Sequence, residues 1–166
     1  MTPFTEKQKL GNWIFILLGV DFFIVIAILF NEYYNNGVPL SELYTSIIII
    51  TTINVLLVLT ITNIAQYTLI NKEGIHYKYT PFVNKYKTIP LEKITSFQIE
   101  SYDTLNYGYA VGKWNFFSKT DMVTQMGLEK VIRIEYGAKK PIIIGSQKPN
   151  EFYTILKKLR KPENDE

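Results

Sequence analysis

The sequence contains no cysteine and only one histidine among its 166 residues. Without cysteine the chain has no disulfide, no thiolate nucleophile and no cysteine-ligated metal or iron site. The single histidine, His76, cannot form a histidine cluster, and no GxGxxG, P-loop or HExxH motif is present. We therefore expect no cofactor, no metal and no enzymatic activity. We expect His76 to be a solvated strand residue.

Charge is absent from one long stretch, because no charged residue lies between Tyr44 and Tyr67. A helix of roughly 20 apolar residues spans the hydrocarbon core of a bilayer, which is about 30 Å thick. Both this stretch and the run 13–30, which contains Asp21, meet that length. The sequence therefore predicts two transmembrane helices, at about 11–31 and 43–65. Together with the N-terminal segment they form a membrane hairpin over residues 1–66.

The charges beside these helices predict their orientation. The loop 31–41 contains Glu32 and no Lys or Arg, whereas Lys7 and Lys9 precede the first helix and several lysines follow the second. Because positive residues favour the cytoplasmic side, we expect both termini in the cytoplasm and the protein in the inner cell membrane. A cleaved signal peptide is the competing interpretation of the first run. Its 18 residues and the poor cleavage sequence at 27–29 disfavour that interpretation.

Asp21 is the one charged residue inside the predicted helices. Insertion scales assign roughly 2.5 to 3.5 kcal/mol to an aspartate at mid-bilayer, so Asp21 should face a partner rather than lipid. Counting about 1.5 Å per residue from the outer helix ends puts Asn54 at the same depth. The candidate intramembrane polar pair, Asp21 and Asn54, has two interpretations. It either holds the helices together or forms a proton or ion relay, which would require a homo-oligomer.

After the second helix the hydrophobic period changes to two, and turn residues separate short alternating segments. Strands are predicted at 67–70, 75–79, 85–89, 94–102, 128–136 and 140–144. A last segment repeats Phe152, Ile155, Leu156 and Leu159 with helical spacing. Pro149 suits the first position of this helix and Pro162 ends it. The sequence thus predicts a β-rich cytoplasmic domain over 67–162, capped by one amphipathic helix, and a frayed acidic tail at 163–166.

The segment 103–127 is too aromatic for an ordinary solvated loop. Its candidate contact residues are Tyr107, Tyr109, Lys113 and Trp114. An edge strand near 114–118 that packs on the domain is one interpretation, and a binding lip is the other.

Four short motifs follow the hairpin in a characteristic order. They are Gly74-Ile75, Ile89-Pro90-Leu91-Glu92-Lys93-Ile94, Gly127-Leu128 and Ile143-Ile144-Gly145-Ser146-Gln147-Lys148-Pro149. With these motifs nearly the whole chain resembles small bacterial integral membrane proteins that carry a pleckstrin-homology-like (PH-like) domain behind a two-helix transmembrane hairpin. The resemblance implies a small β-barrel plugged at one end by the C-terminal helix. In those proteins the region 107–114 is often richer in glycine and carries an arginine, so Tyr109-Ala110-Val111 with Lys113 departs from the pattern.

The resemblance supplies no catalytic or ligand residues. Phosphoinositide binding would require several Lys and Arg in the loop between the first two strands, where they hold phosphates. Here that loop is Asn71-Lys72-Glu73-Gly74, which is short and partly acidic. The fold that the resemblance implies therefore does not by itself indicate headgroup specificity.

The function that we expect is a non-enzymatic, membrane-anchored interaction module or scaffold that binds a protein partner or the inner membrane surface. The candidate contacts are an exposed edge strand, the segment 107–114, and a face carrying Lys78, Lys85 and Lys87. A small transporter or channel subunit that uses Asp21 and Asn54 is the first alternative, and a sensor of anionic lipid headgroups is the second. Nucleic-acid binding is not expected, because the chain after Ala65 has 16 basic and 11 acidic residues and no recognition motif.

Overall fold

The computed structural model describes residues 3–102, 121–123, 128–137 and 140–160, with the backbone alone for 121–123. The chain divides into two compact units. One unit is Leu10–Asn63, and the other combines Met1–Lys9 with Ile64–Glu166. The N-terminal segment, predicted to belong with the hairpin, is therefore part of the second unit.

The first unit is a pair of helices, α1 (Trp13–Asn36) and α2 (Leu40–Thr62). Both are long and apolar enough to cross a membrane. The two predicted helices are confirmed, although α1 continues five residues beyond the predicted end. The side chains of Asn35 and Asn36 donate hydrogen bonds to Asn31 and Glu32 one turn earlier, so the polar end of α1 remains helical.

The second unit begins with a four-stranded sheet, which we call the first sheet. Its strands are β1 (Phe4–Lys9), β2 (Ala65–Asn71), β3 (Gly74–Thr80) and β4 (Val83–Pro90). They pair antiparallel in chain order. The turn between β2 and β3 is held by the Asn71 side-chain oxygen, which accepts the backbone N–H groups of Glu73 and Gly74 at 2.9 and 3.2 Å.

The second sheet consists of the later strands. They are β5 (Ile94–Ser101), β6 (Asp121–Val123), β7 (Lys130–Tyr136) and β8 (Ile142–Gly145). Their order is β5-β7-β8-β6; β6 runs parallel to β8, and the other pairs are antiparallel. The C-terminal helix α3 (Pro149–Arg160) buries Phe152 and Leu156 and contacts strands of both sheets. The ring of Phe152 meets that of Phe4 edge to face, 5.4 Å between centroids.

The six predicted strands and the C-terminal helix are confirmed. The predicted barrel is wrong, because the strands do not pair into one closed sheet. Across the described ranges the strands form two four-stranded sheets and no closed barrel. Pairing ends between β4 and β5 because Pro90 has no N–H to donate and a 3-10 turn, Leu91–Lys93, follows it. The strand predicted near 114–118 lies outside the described residues.

Strand β1 lacks the alternating pattern that predicts a strand, because its inward positions are not uniformly apolar. Gln8 is buried and faces Gln66 across the β1–β2 pair. Both side-chain amides donate to the backbone oxygen of Gly145, at 2.8 and 2.9 Å. These hydrogen bonds satisfy donors that would otherwise be costly to bury, and they join the first sheet to the end of β8.

Candidate interaction surface

The first sheet has one side that faces away from the core, which we call the outer face. Its residues are Thr5, Lys7, Lys9, Tyr67, Leu69, Asn71, His76, Lys78, Thr80, Tyr86 and Thr88, all exposed or half-buried. Alternate residues of the same strands, such as Ile70, Ile75 and Ile89, are buried. Because successive side chains of a strand point to opposite sides, this alternation defines the outer face.

A row of cationic and aromatic side chains crosses the outer face on four neighbouring strands. Lys7 pairs with Tyr67 in register, and Tyr67 pairs with Lys78. The Nζ atom of Lys7 lies 5.2 Å from the centre of the Tyr67 ring. The Nζ atom of Lys78 lies 4.5 Å from that centre and 4.8 Å from the centre of the Tyr86 ring. We call these four residues the cation–aromatic row, in which each contact is worth about 0.5 to 1 kcal/mol at an exposed site.

The row borders a groove of about 430 Å³. The groove is lined by Thr5, Glu6, Lys7, Tyr67, Thr68, Leu69 and Tyr86. Three members of the row are therefore in its wall. The row thus contributes one lysine and two tyrosines to the lining, which also contains Glu6.

The lysines of the outer face are not balanced by carboxylates on that face. The outer face carries Lys7, Lys9 and Lys78, and strands β1 to β4 contain one carboxylate, Glu6. The Glu6 carboxylate is engaged elsewhere, since its two oxygens accept the Ser146 hydroxyl and the Gln147 N–H, each at 2.7 Å. Within the described ranges neither Lys7 nor Lys78 forms an ion pair. The outer face is therefore basic.

Charges on the second sheet are arranged differently. Arg133 of β7 lies between two carboxylates, 4.0 Å from Glu100 and 3.6 Å from Glu135. Glu135 of the same strand and Glu100 of the neighbouring strand β5 thus neutralise the charge of Arg133. Among the described residues, Lys7 and Lys78 of the first sheet thus differ from Arg133 in forming no ion pair.

His76 is also on the outer face, but the prediction of a solvated side chain is wrong. Its side chain is only 12% exposed. Nδ1 lies 2.8 Å from the Thr88 hydroxyl and Nε2 lies 3.0 Å from the Asn71 side-chain oxygen. Because that oxygen only accepts, Nε2 carries the proton and donates. Glu73 lies 3.7 Å away, so His76 supports the β2–β3 turn.

The three lysines predicted to share a face do not all do so. Lys87 pairs with Tyr77, whose side chain is buried, so Lys87 and Tyr77 lie on the same side of the sheet. Lys78 follows Tyr77 in β3 and therefore points to the opposite side, which is the outer face. Lys85 is exposed on β4. The other predicted contacts, Tyr107, Tyr109, Lys113 and Trp114, lie outside the described residues. Lys7, which sequence reasoning did not assign to the surface, is a member of the row.

Asp21 and Asn54 lie at similar depths along the helix pair. Asp21 is fifteen residues before the end of α1 and Asn54 is fourteen after the start of α2. Asn54 is half-buried, and Asp21 is exposed. No hydrogen bond joins their side chains in the part of the chain that the structure describes. Their pairing, either as helix contact or as relay, remains a prediction.

Among the described residues, no group of three or more histidine, cysteine or acidic side chains could hold a metal ion. Comparison of the chain with protein-family models, with curated proteins and with solved structures found no match.

Proposed function

We propose that this chain is a two-span membrane protein whose sheet domain is an interaction module, with the outer face of the first sheet as its contact surface. One observation carries the proposal. Both apolar helices are inserted between β1 and β2, two strands that pair over six residues. If both helices cross the bilayer, this pairing requires β1 and β2 to lie on the same side. The domain is then tethered to the membrane through two adjacent strands.

The flanking charges support a cytoplasmic position for the domain. Lys7 and Lys9 belong to β1, and further lysines follow α2, while the loop between the helices contains no Lys or Arg. Positive residues favour the cytoplasmic side, so the loop would face outward from the inner cell membrane. A kinship with bacterial PH-like domains is part of this proposal. It is supported by the order of a four-stranded antiparallel sheet, a second sheet and a terminal helix.

Binding, rather than catalysis, is the activity that the outer face suits. Lysine ammonium groups attract anions, and tyrosine rings stack on planar or cationic groups, without any covalent step. Candidate partners are therefore a protein segment or the membrane surface, with the bilayer as the permanent anchor.

Single-cysteine labelling in intact cells tests the topology, since the natural chain contains no cysteine. Suitable exposed positions are Thr5→Cys in β1, Lys72→Cys in the β2–β3 turn and Asn36→Cys at the loop. A membrane-impermeant maleimide should label only the Asn36→Cys protein, and opening the cells should expose the other two. Labelling of Thr5→Cys and Lys72→Cys from opposite compartments, or release of the protein by alkaline carbonate, would refute the proposal.

A further inference from the structure

The cation–aromatic row collects like charges at one place. The ammonium groups of Lys7 and Lys78 lie within 5.2 and 4.5 Å of the centre of the same ring, that of Tyr67. Within the described ranges neither lysine has a carboxylate partner. The mutual repulsion of the two cations would be relieved by an anion bound over the row. The geometry therefore favours a ligand that presents negative charge across a surface.

Chain connectivity indicates which anionic surface is available. Lys9 on the outer face is four residues before Trp13, the first residue of α1, and it pairs with Ala65, three residues after the end of α2. At about 3.8 Å per residue, four residues extend to no more than about 15 Å. If the helices span a bilayer, lipid headgroups are held near this sheet at a high effective concentration. A diffusing protein with acidic residues has no such advantage.

The chemistry of the row also suits a lipid interface. Tyrosine is enriched at the headgroup level of membranes, where its ring meets apolar material and its hydroxyl meets water. Lysines beside a membrane are attracted to anionic lipids over about a Debye length. Lys7, Tyr67, Lys78 and Tyr86 alternate these two side-chain types across four strands.

We infer that the outer face of the first sheet docks on the anionic phosphodiester headgroups of the leaflet from which α1 and α2 emerge. Lys7 and Lys78 contact the phosphates, and the Tyr67 and Tyr86 rings lie among the headgroups. The contact is electrostatic and extends across the face of the sheet. It therefore differs from the contact made by a loop that encloses one headgroup. This inference rests on the proposed function, because it requires the two helices to span the bilayer.

The test uses the full chain in nanodiscs made of phosphatidylcholine alone or of phosphatidylcholine with phosphatidylglycerol. The reporter is Thr88→Cys, an exposed outer-face position, and the matched reporter is Ser101→Cys, an exposed position at the end of β5 in the second sheet. Maleimide should react with Thr88→Cys several-fold more slowly in the anionic discs at low salt, and high salt should remove the difference. The Ser101→Cys rate should be the same in both discs.

Charge reversal then assigns the effect to the row. Lys7→Glu with Lys78→Glu should abolish the slow labelling of Thr88→Cys in anionic discs. Lys157→Glu with Lys158→Glu, which makes the same change of net charge at exposed positions of α3, should leave it intact. If the reversed row fails to fold, as judged by amide exchange in β7, the milder Lys7→Gln with Lys78→Gln should reduce the protection in part.

Equal labelling of Thr88→Cys in neutral and anionic discs would overturn the inference. Protection found only in native membranes, and lost when soluble and peripheral proteins are stripped off, would assign the outer face to a protein and would also overturn it. Either result is compatible with the proposed membrane anchor if the single-cysteine labelling gives the expected compartments. Failure of that labelling test would refute the proposed function itself.

Discussion

Glu6 is hydrogen-bonded to Ser146, a residue 140 positions later in the chain, at 2.7 Å between its carboxylate and the serine hydroxyl. Its second oxygen accepts the N–H of Gln147. Glu6 belongs to β1, and the two donors belong to the turn that leads into α3. One side chain thus connects the strand before the first apolar helix to the last element of the fold.

Replacing Glu6 by Ala should destabilise the sheet domain by about 2 to 3 kcal/mol. Hydrogen bonds to a charged acceptor are worth roughly 1.5 to 3 kcal/mol, and Ser146 is buried. Amide exchange at Gln147 should accelerate, and urea unfolding of the detergent-solubilised chain should shift to lower concentration. Thr5→Ala is the control, because the neighbouring Thr5 is exposed on the outer face and should change stability by less than about 0.5 kcal/mol. Unchanged exchange at Gln147 in the Glu6 variant would contradict this role.

Gly74→Ala should destabilise the domain far more than Gly137→Ala does. Gly74 has a φ of 152°, and a Cβ there would collide with the backbone oxygen of Ile89 in β4. Gly137 has a φ of 54° and open space around it, so alanine adds backbone strain alone. We expect the free energy of unfolding to fall by about 3 kcal/mol or more in Gly74→Ala and by about 1 kcal/mol in Gly137→Ala. Thermal or urea unfolding of the two variants measures the difference, and equal losses would show that the collision is relieved elsewhere.

Tyr79 should make the domain sensitive to alkaline pH. Its side chain is buried, and desolvation raises the pKa of its hydroxyl from 10.0 to about 12. Between these values the unfolded chain loses the proton while the folded chain keeps it, so stability falls as pH rises. At roughly 1.4 kcal/mol per pH unit, the loss amounts to about 2 to 3 kcal/mol between pH 10 and 12.

The variant Tyr79→Phe lacks this titration, so its unfolding free energy should depend less steeply on pH in that window than the free energy of the natural chain. Near pH 7 it should be as stable as the natural chain or slightly more so, because within the described structure the buried hydroxyl has no hydrogen-bond partner. Tyr86→Phe, at a half-exposed position, is the control and should retain the steep slope. Parallel slopes for all three proteins would show that Tyr79 titrates normally.

The variant Asp21→Leu distinguishes the proposed interaction module from the alternative function as a channel subunit. Removing the carboxyl should make α1 insert as well or better, because an aspartate inside a membrane helix is unfavourable by roughly 2.5 to 3.5 kcal/mol. Under the proposed function the cellular role survives. The channel alternative is tested by measuring proton-dependent flux in proteoliposomes. Asp21→Asn is the comparison variant, because it preserves the polarity of the side chain. Loss of a proton-dependent flux in a folded, inserted Asp21→Leu protein would favour the channel subunit.

Much of the fold follows from local patterns in the sequence. The charge-free stretch predicts α2, period-two alternation predicts six strands, and Phe152 with Leu156 marks the buried side of α3. The cation–aromatic row could not be predicted in this way. It depends on Lys7 pairing with Tyr67, sixty residues away, and polar inward residues conceal the strand that carries Lys7. Similarly, the hydrogen bonds of His76 depend on the register between β3 and β4, which alternation alone does not determine.

The placement of α1 and α2 between two paired strands has a consequence for biosynthesis. Phe4–Lys9 leaves the ribosome before α1 and α2, but its partner strand is made only after both apolar segments. If both helices cross the bilayer, the nascent strand must remain unpaired until the polypeptide has returned from its second crossing. A molecule whose second helix failed to insert would leave Phe4 and Gln8 separated from their partners, with unsatisfied hydrogen bonds and exposed apolar surface. Under the proposed function, completion of the sheet thus depends on correct insertion, and misinserted copies would be open to proteolytic removal.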